Sequence, residues 1–165
     1  MDKKTSNELP ETGIVVSHCS VGTQWLDYND HMNVAYYVMA FDLGIDTFKD
    51  AIGITLNSIQ QKKRSTVALE SHITYKQEAK LGDSLRIETR IVDFDGKRIH
   101  YYQEMYREKE LLSTQETLSI SFDTAARKVC EFDQEPAENL RLMLRRQQAI
   151  EKTGVIGRSI AIKKK

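Results

Sequence analysis

The sequence predicts an α+β domain: an antiparallel sheet wrapped around one buried helix, with a second helix near the C-terminus. Three observations carry this. From Val34 to Phe48 the chain is apolar almost all round, with Val34, Ala35, Tyr36, Tyr37, Val38, Met39, Ala40, Phe41, Leu43, Ile45 and Phe48. A helix of that composition is expected to be covered on nearly every face. Residues 65–122 then alternate apolar and polar between turn signals, the pattern of half-buried strands. Finally, Pro136 opens a segment whose Leu140, Met143, Leu144 and Ile150 fall on one helical face, proline being tolerated in a first turn.

In chain order, residues 1–11 are polar and expected to be disordered. Residues 13–23 are rich in β-formers and read as the first strand. A loop, Gln24 to His31, precedes the apolar helix, which should start near Asn33. In residues 65–79, Val67, Leu69, Ser71, Ile73 and Tyr75 alternate with Ala68, Glu70, His72, Thr74 and Lys76. Leu81, Gly82 and Asp83 make a turn into a strand over 84–94, and Asp95-Gly96 is a strong hairpin signal. Its return strand covers 97–107. A turn near Glu108 leads to 111–122, with Leu112, Thr114, Glu116, Leu118, Ile120 and Phe122 in phase, and a last short strand covers 127–132. The domain is thus expected over 12–150, followed by a patternless tail, 151–165. A long apolar helix cradled by one curved antiparallel sheet is the hot-dog arrangement.

Composition narrows the function classes. The 165 residues suit one domain and carry 24 basic and 24 acidic side chains, a balance that argues against a nucleic-acid binder. No apolar stretch is long enough to cross a bilayer. The N-terminus lacks the apolar core of a secretory signal, so a cytoplasmic location is expected. Cys19 and Cys130 share no metal or redox spacing and read as two free thiols. His18 and His100 have no companions at metal-ligand spacing, so no metal site is expected.

The loop before the apolar helix holds Asp27, Asn29, Asp30, His31 and Asn33 within seven residues. Two readings apply. One of these residues can cap the helix. Alternatively, the unpaired amides of the first helical turn can hold a developing negative charge, with a carboxylate beside them attacking a carbonyl or activating water. A cap needs one such residue, and this loop has five.

The run from Trp25 to Tyr37, WLDYNDHMNVAYY, resembles the signature of the 4-hydroxybenzoyl-CoA thioesterase family, Asp-x-x-Gly-His-(apolar)-Asn-Asn-x-x-Tyr. Glu70 to Tyr75, Gly82 to Leu85, Asp95 to His100 and Glu104 to Tyr106 are similar to that family as well. Within the family the pattern most resembles betainyl-CoA thioesterases. The similarity covers about residues 12–132, and more loosely Gly157 to Ile160.

This resemblance implies hydrolysis of a short acyl-CoA, with betainyl-CoA favoured, and a homodimer or homotetramer with sites between subunits. It implies no cofactor beyond the CoA of the substrate. Asp27 falls on the catalytic aspartate, as nucleophile or general base. The Val34 N–H falls on the oxyanion donor. His31 and Asn33 match residues that hold the loop, and Tyr37 matches the motif tyrosine. Two positions depart from the family: Asp30 stands at the usual glycine and Val34 at the usual second asparagine. If position 30 needs positive φ, Asp is less at ease there than Gly.

Other residues stay open between two roles. Glu70 and His72 share one side of a strand and either line a pocket or face solvent. Trp25, Tyr28, Tyr36 and Tyr37 are core, or else a cage for a trimethylammonium group. Lys62, Lys63 and Arg64 are solvated surface or partners for the CoA phosphates. A non-catalytic acyl-CoA-binding module is the alternative to the enzyme. A dehydratase using His72 and Glu70 is a third reading.

Overall fold

A computed structural model of the chain describes residues 9–147 and 156–162. The sequence readings for residues 1–8, for 148–155 with Ile150 and the start of the tail, and for 163–165 fall outside those residues.

The elements follow in the order β1 (Val15–Ser20), α1 (Val34–Ala51), α2 (Leu56–Lys62), β2 (Arg64–Tyr75), β3 (Ser84–Phe94), β4 (Arg98–Arg107), β5 (Glu110–Asp123), β6 (Lys128–Val129) and α3 (Gln134–Gln147). The sheet is antiparallel throughout, in spatial order β1-β3-β4-β5-β2, with β6 on β5. This is the expected α+β hot-dog arrangement. Among the described residues, β2 has a strand partner on one edge only.

The first strand is shorter than expected, because Thr23–Trp25 turn into a 3-10 helix. The last strand shrinks from 127–132 to two residues. The helix α2 was not legible: seven residues are too few for a periodic signal. Its one local cue is Thr55, whose hydroxyl caps the Ser58 N–H at 3.1 Å.

The central helix corrects the expectation of burial on every face. Tyr37, Ala40, Phe41, Gly44, Ile45 and Phe48 are buried. Its opposite side exposes Val34, Val38 and Leu43, at 60%, 47% and 46%. The physical reason is that one sheet wraps a helix from one side only.

The sheet meets α1 through Leu85, Ile87, Ile99, Tyr101 and Met105, all essentially inaccessible. At the helix midpoint the contact is polar. Gln103 Nε2 donates to the Phe41 carbonyl at 2.9 Å and to Thr89 Oγ1 at 3.0 Å, and Gln115 donates to Gln103 at 3.3 Å. The register puts Gln115, Thr117 and Ser119 on the same face as Gln103, Tyr101 and Ile99. The side of β5 that meets the interior is therefore its hydroxyl and amide side. Leu118 and Ile120 lie on the outer face.

The expected alternation in β2 breaks at a bulge. The register with β5 runs Ala68↔Ser119 and then Glu70↔Leu118, so Leu69 is unpaired. One extra residue swaps the faces. Val67 therefore sits with Glu70 and His72, not with Ser71 and Ile73.

Candidate active site

The loop 26–32 is fastened on both sides. Leu26 bridges to Met32 and His31 to Lys80. Met32 N–H donates to Ala79 O at 2.8 Å, and Asn33 N–H to Trp25 O at 2.8 Å. Inside this frame Asp27 is the organiser. Its Oδ1 accepts the Asn29 N–H at 2.8 Å and the His31 N–H at 3.4 Å, a local turn typical of aspartate. Its Oδ2 has no partner among the described residues. Asp30 has φ 60, so the position where the family signature has glycine does require the left-handed region.

Asn33 caps α1: its side chain accepts the Ala35 N–H at 3.0 Å. The Tyr36 N–H reaches the Asn33 carbonyl at 2.9 Å. That leaves the Val34 N–H without an acceptor among the described residues, at the positive end of an 18-residue helix. An open cleft of about 420 Å³ lies here, lined by Met32, Val34, Tyr37, Tyr75, Lys76, Gln77 and Glu78. Asp27 is outside that lining.

Tyr37 spans the cleft floor. Its hydroxyl accepts the Ala79 N–H at 2.9 Å and donates to the Gln77 carbonyl at 3.4 Å. Burial raises its pKa above the ordinary tyrosine value. Its ring meets Tyr75 edge-on at 5.2 Å. His31 Nε2 pairs with Glu78 Oε2 at 3.0 Å, while Lys80 Nζ takes Glu78 Oε1 at 3.0 Å. The hydrogen bond from Lys80 holds the Glu78 carboxyl below its usual range. Glu78 was missed in the sequence; an isolated glutamate after a strand carries no signal of its own.

Of the other aromatic candidates, Trp25 and Tyr36 share an apolar cluster with Tyr37, and Tyr28 stands apart. Trp25 stacks on Tyr36 at 5.4 Å and 13°, and Tyr28 is 96% exposed. Glu70 and His72 lie on the outer face of the sheet. They line a separate cleft of about 400 Å³ with His100, Glu116, Leu118 and Gly157 to Ser159. There His100 Nε2 and Glu116 Oε1 are 2.7 Å apart, and the Gly157 N–H donates to the same carboxylate.

The basic run is also remote within one chain. Arg64 and Tyr75 are at opposite ends of β2, roughly 35 Å apart at strand spacing. Lys62 pairs with Asp133 at 3.8 Å and Arg64 with Asp123 at 3.3 Å. Lys63 caps α2 in the left-handed region, at φ 57. Both cysteines are free, and burial pushes the Cys19 thiol up, away from thiolate chemistry. No helix among the described residues is long and apolar enough to cross a membrane.

Comparison with known proteins gives this geometry a context. The L-carnitine dehydrogenase/betainyl-CoA thioesterase of Ruegeria pomeroyi is 33% identical over 111 residues, which are 67% of this chain and 23% of that protein. The betainyl-CoA thioesterase of Pseudomonas aeruginosa is 29% identical over 104 residues, 61% of this chain and 65% of that one. The chain thus spans less than two thirds of either relative. A Staphylococcus aureus protein solved in complex with CoA superposes with a TM-score of 0.85 and 26% identity, over 91% of this chain and 96% of that one. The Thioesterase-like superfamily model matches residues 21–140, and the chain belongs to that family.

Proposed function

We propose that the chain hydrolyses a short acyl-CoA thioester to the free acid and CoA. The observation that carries this is the unpaired N–H of Val34, a residue that lines an open cleft beside the Asp27 loop. The thioester oxygen would accept that N–H, so the charge developing on it meets a fixed dipole. Asp27 Oδ2 would then take a proton from the attacking water, or attack the carbonyl itself to form an acyl-aspartyl anhydride that water afterwards hydrolyses to the free acid. The C–S bond breaks and CoA leaves as the thiolate.

Betainyl-CoA is the favoured substrate, because two relatives of about 30% identity carry that activity in their names. The S. aureus structure in complex with CoA supports CoA as the carrier. The active unit in this reading is a homodimer or homotetramer. Antiparallel pairing of two β2 edges about their midpoints would set the Arg64 end of one copy beside the Tyr75 end of the other. Lys62, Lys63 and Arg64 would then reach the CoA phosphates at the neighbouring cleft, although they are remote from their own.

One observation favours a non-catalytic acyl-CoA binder instead: Asp27 already spends Oδ1 on its own loop and does not line the cleft. Free-thiol release from betainyl-CoA, short and medium acyl-CoAs and an aryl-CoA separates the readings. The enzyme releases CoA from at least one of them. The binder retains CoA thioesters intact.

A further inference from the structure

We infer that Glu78 is a positioning residue for the Asp27 loop: it grips His31 from the far wall of the cleft and so fixes the direction of the Asp27 carboxylate. The inference rests on the thioesterase reading for its catalytic consequence, but not for its geometry.

Three links connect Glu78 to Asp27. Glu78 Oε2 lies 3.0 Å from His31 Nε2. The His31 backbone N–H donates to Asp27 Oδ1 at 3.4 Å, and the His31 carbonyl accepts the Asp27 N–H at 2.8 Å. A shift of His31 therefore moves both ends of the Asp27 residue. Glu78 is itself held from the opposite side: Lys80 Nζ takes its other oxygen at 3.0 Å. Arg107 Nη1, itself held at 2.6 Å by Asp83, lies 3.5 Å from the Glu78 carbonyl. Lys76 is the other charged side chain of the cleft wall.

Stability is not the main purpose of such a pair. The His31 and Glu78 side chains are 36% and 51% exposed, and ion pairs in that setting contribute little to folding. Direction is another matter. The loop is tied by short backbone bridges, and the direction of the Asp27 Oδ2 oxygen is set while Oδ1 stays on the Asn29 and His31 amides. Small displacements of a reacting group cost far more rate than they cost stability.

The test uses the full chain with Glu78→Ala, Glu78→Asp, His31→Ala, the double Ala variant and Lys80→Ala. Hydrogen exchange of the Asn29 and His31 amides reads the geometry without any substrate. We expect roughly threefold or faster exchange in Glu78→Ala, partial recovery in Glu78→Asp, and no change beyond the margins of Val16 or Ile87. On a hydrolysed acyl-CoA, kcat should fall roughly 10-fold with KM within about twofold. The double variant should be no worse than the worse single one. Unchanged exchange in Glu78→Ala overturns the inference. So does a double variant whose kcat loss is the product of the two single losses. A wild type without thioesterase activity would refute the functional reading and leave the exchange result to decide this one.

Discussion

The Tyr37 hydroxyl accepts the Ala79 N–H at 2.9 Å across 42 residues of sequence, fastening the central helix to the segment that forms the far wall of its cleft. Ala79 is fully buried, so its amide has no water to fall back on. Tyr37→Phe should destabilise the fold by about 1–3 kcal/mol, the cost of a stranded buried donor. Thermal unfolding should show a Tm lower by roughly 3–10 °C.

Gly44 sets two principles against each other. Alanine is the better helix former by about 1 kcal/mol. A Cβ here, however, would stand 2.7 Å from Gln103 Nε2 and 3.0 Å from Ile87 Cγ2. Gln103 is fully buried and already bonded to the Phe41 carbonyl, so it cannot swing aside cheaply. Gly44→Ala should lose about 1–3 kcal/mol in urea unfolding. A gain would mean that propensity outweighs packing at this crossing.

On the outer face, Arg90 Nη2 and Glu104 Oε2 form a 2.7 Å pair with side chains 11% and 3% exposed. Removing one partner leaves the other charge buried. Arg90 Nη2 also reaches Glu88 Oε2 at 3.5 Å, so Glu104→Leu leaves it one longer carboxylate contact and should cost about 1–3 kcal/mol, still beyond the effect of an exposed ion pair. Denaturant titration of the single variant and of Arg90→Met with Glu104→Leu checks this. The double variant should recover much of the loss.

Asp95 supplies the pH dependence with the clearest cause. The Arg98 side chain, then the Arg98 and Lys97 backbone amides, hold its carboxyl at about 2, below the ordinary 3.8. A depressed folded-state pKa means stability that is present above the unfolded value and lost as pH falls through the folded one. The window is therefore from about pH 4 down to about pH 2. Asp95→Asn should lower stability at neutral pH, converge on the wild type as pH falls to about 2, and so flatten the acid limb of the stability curve in that window. A carboxyl titration by NMR should put the Asp95 midpoint near 2.

Much of the fold was legible because its signals are local. Asp95-Gly96 announced the β3–β4 hairpin, and Gly96 indeed takes φ 91. Asn33 marked the helix start and caps it. What escaped has a common physical origin. The Leu69 bulge inverts part of β2 because register is set by the partner strand, which the strand's own alternation does not contain. The outer side of α1 is exposed because apolar composition says that a face can be covered, not by what. In the candidate site, the loop residues Asp27, His31 and Asn33 were legible as a cluster. Glu78 and Tyr75 were not, because they reach the cleft from 40 or more residues away along the chain.

The most direct measurement is CoA release from the acyl-CoA panel by wild type and Asp27→Asn side by side. Hydrolysis of at least one thioester, with kcat/KM falling on the order of 10²-fold or more in the variant, is the predicted result. A wild type that binds CoA thioesters and leaves them intact would contradict the enzyme reading. A fully active Asp27→Asn would contradict the assignment of the reacting carboxylate.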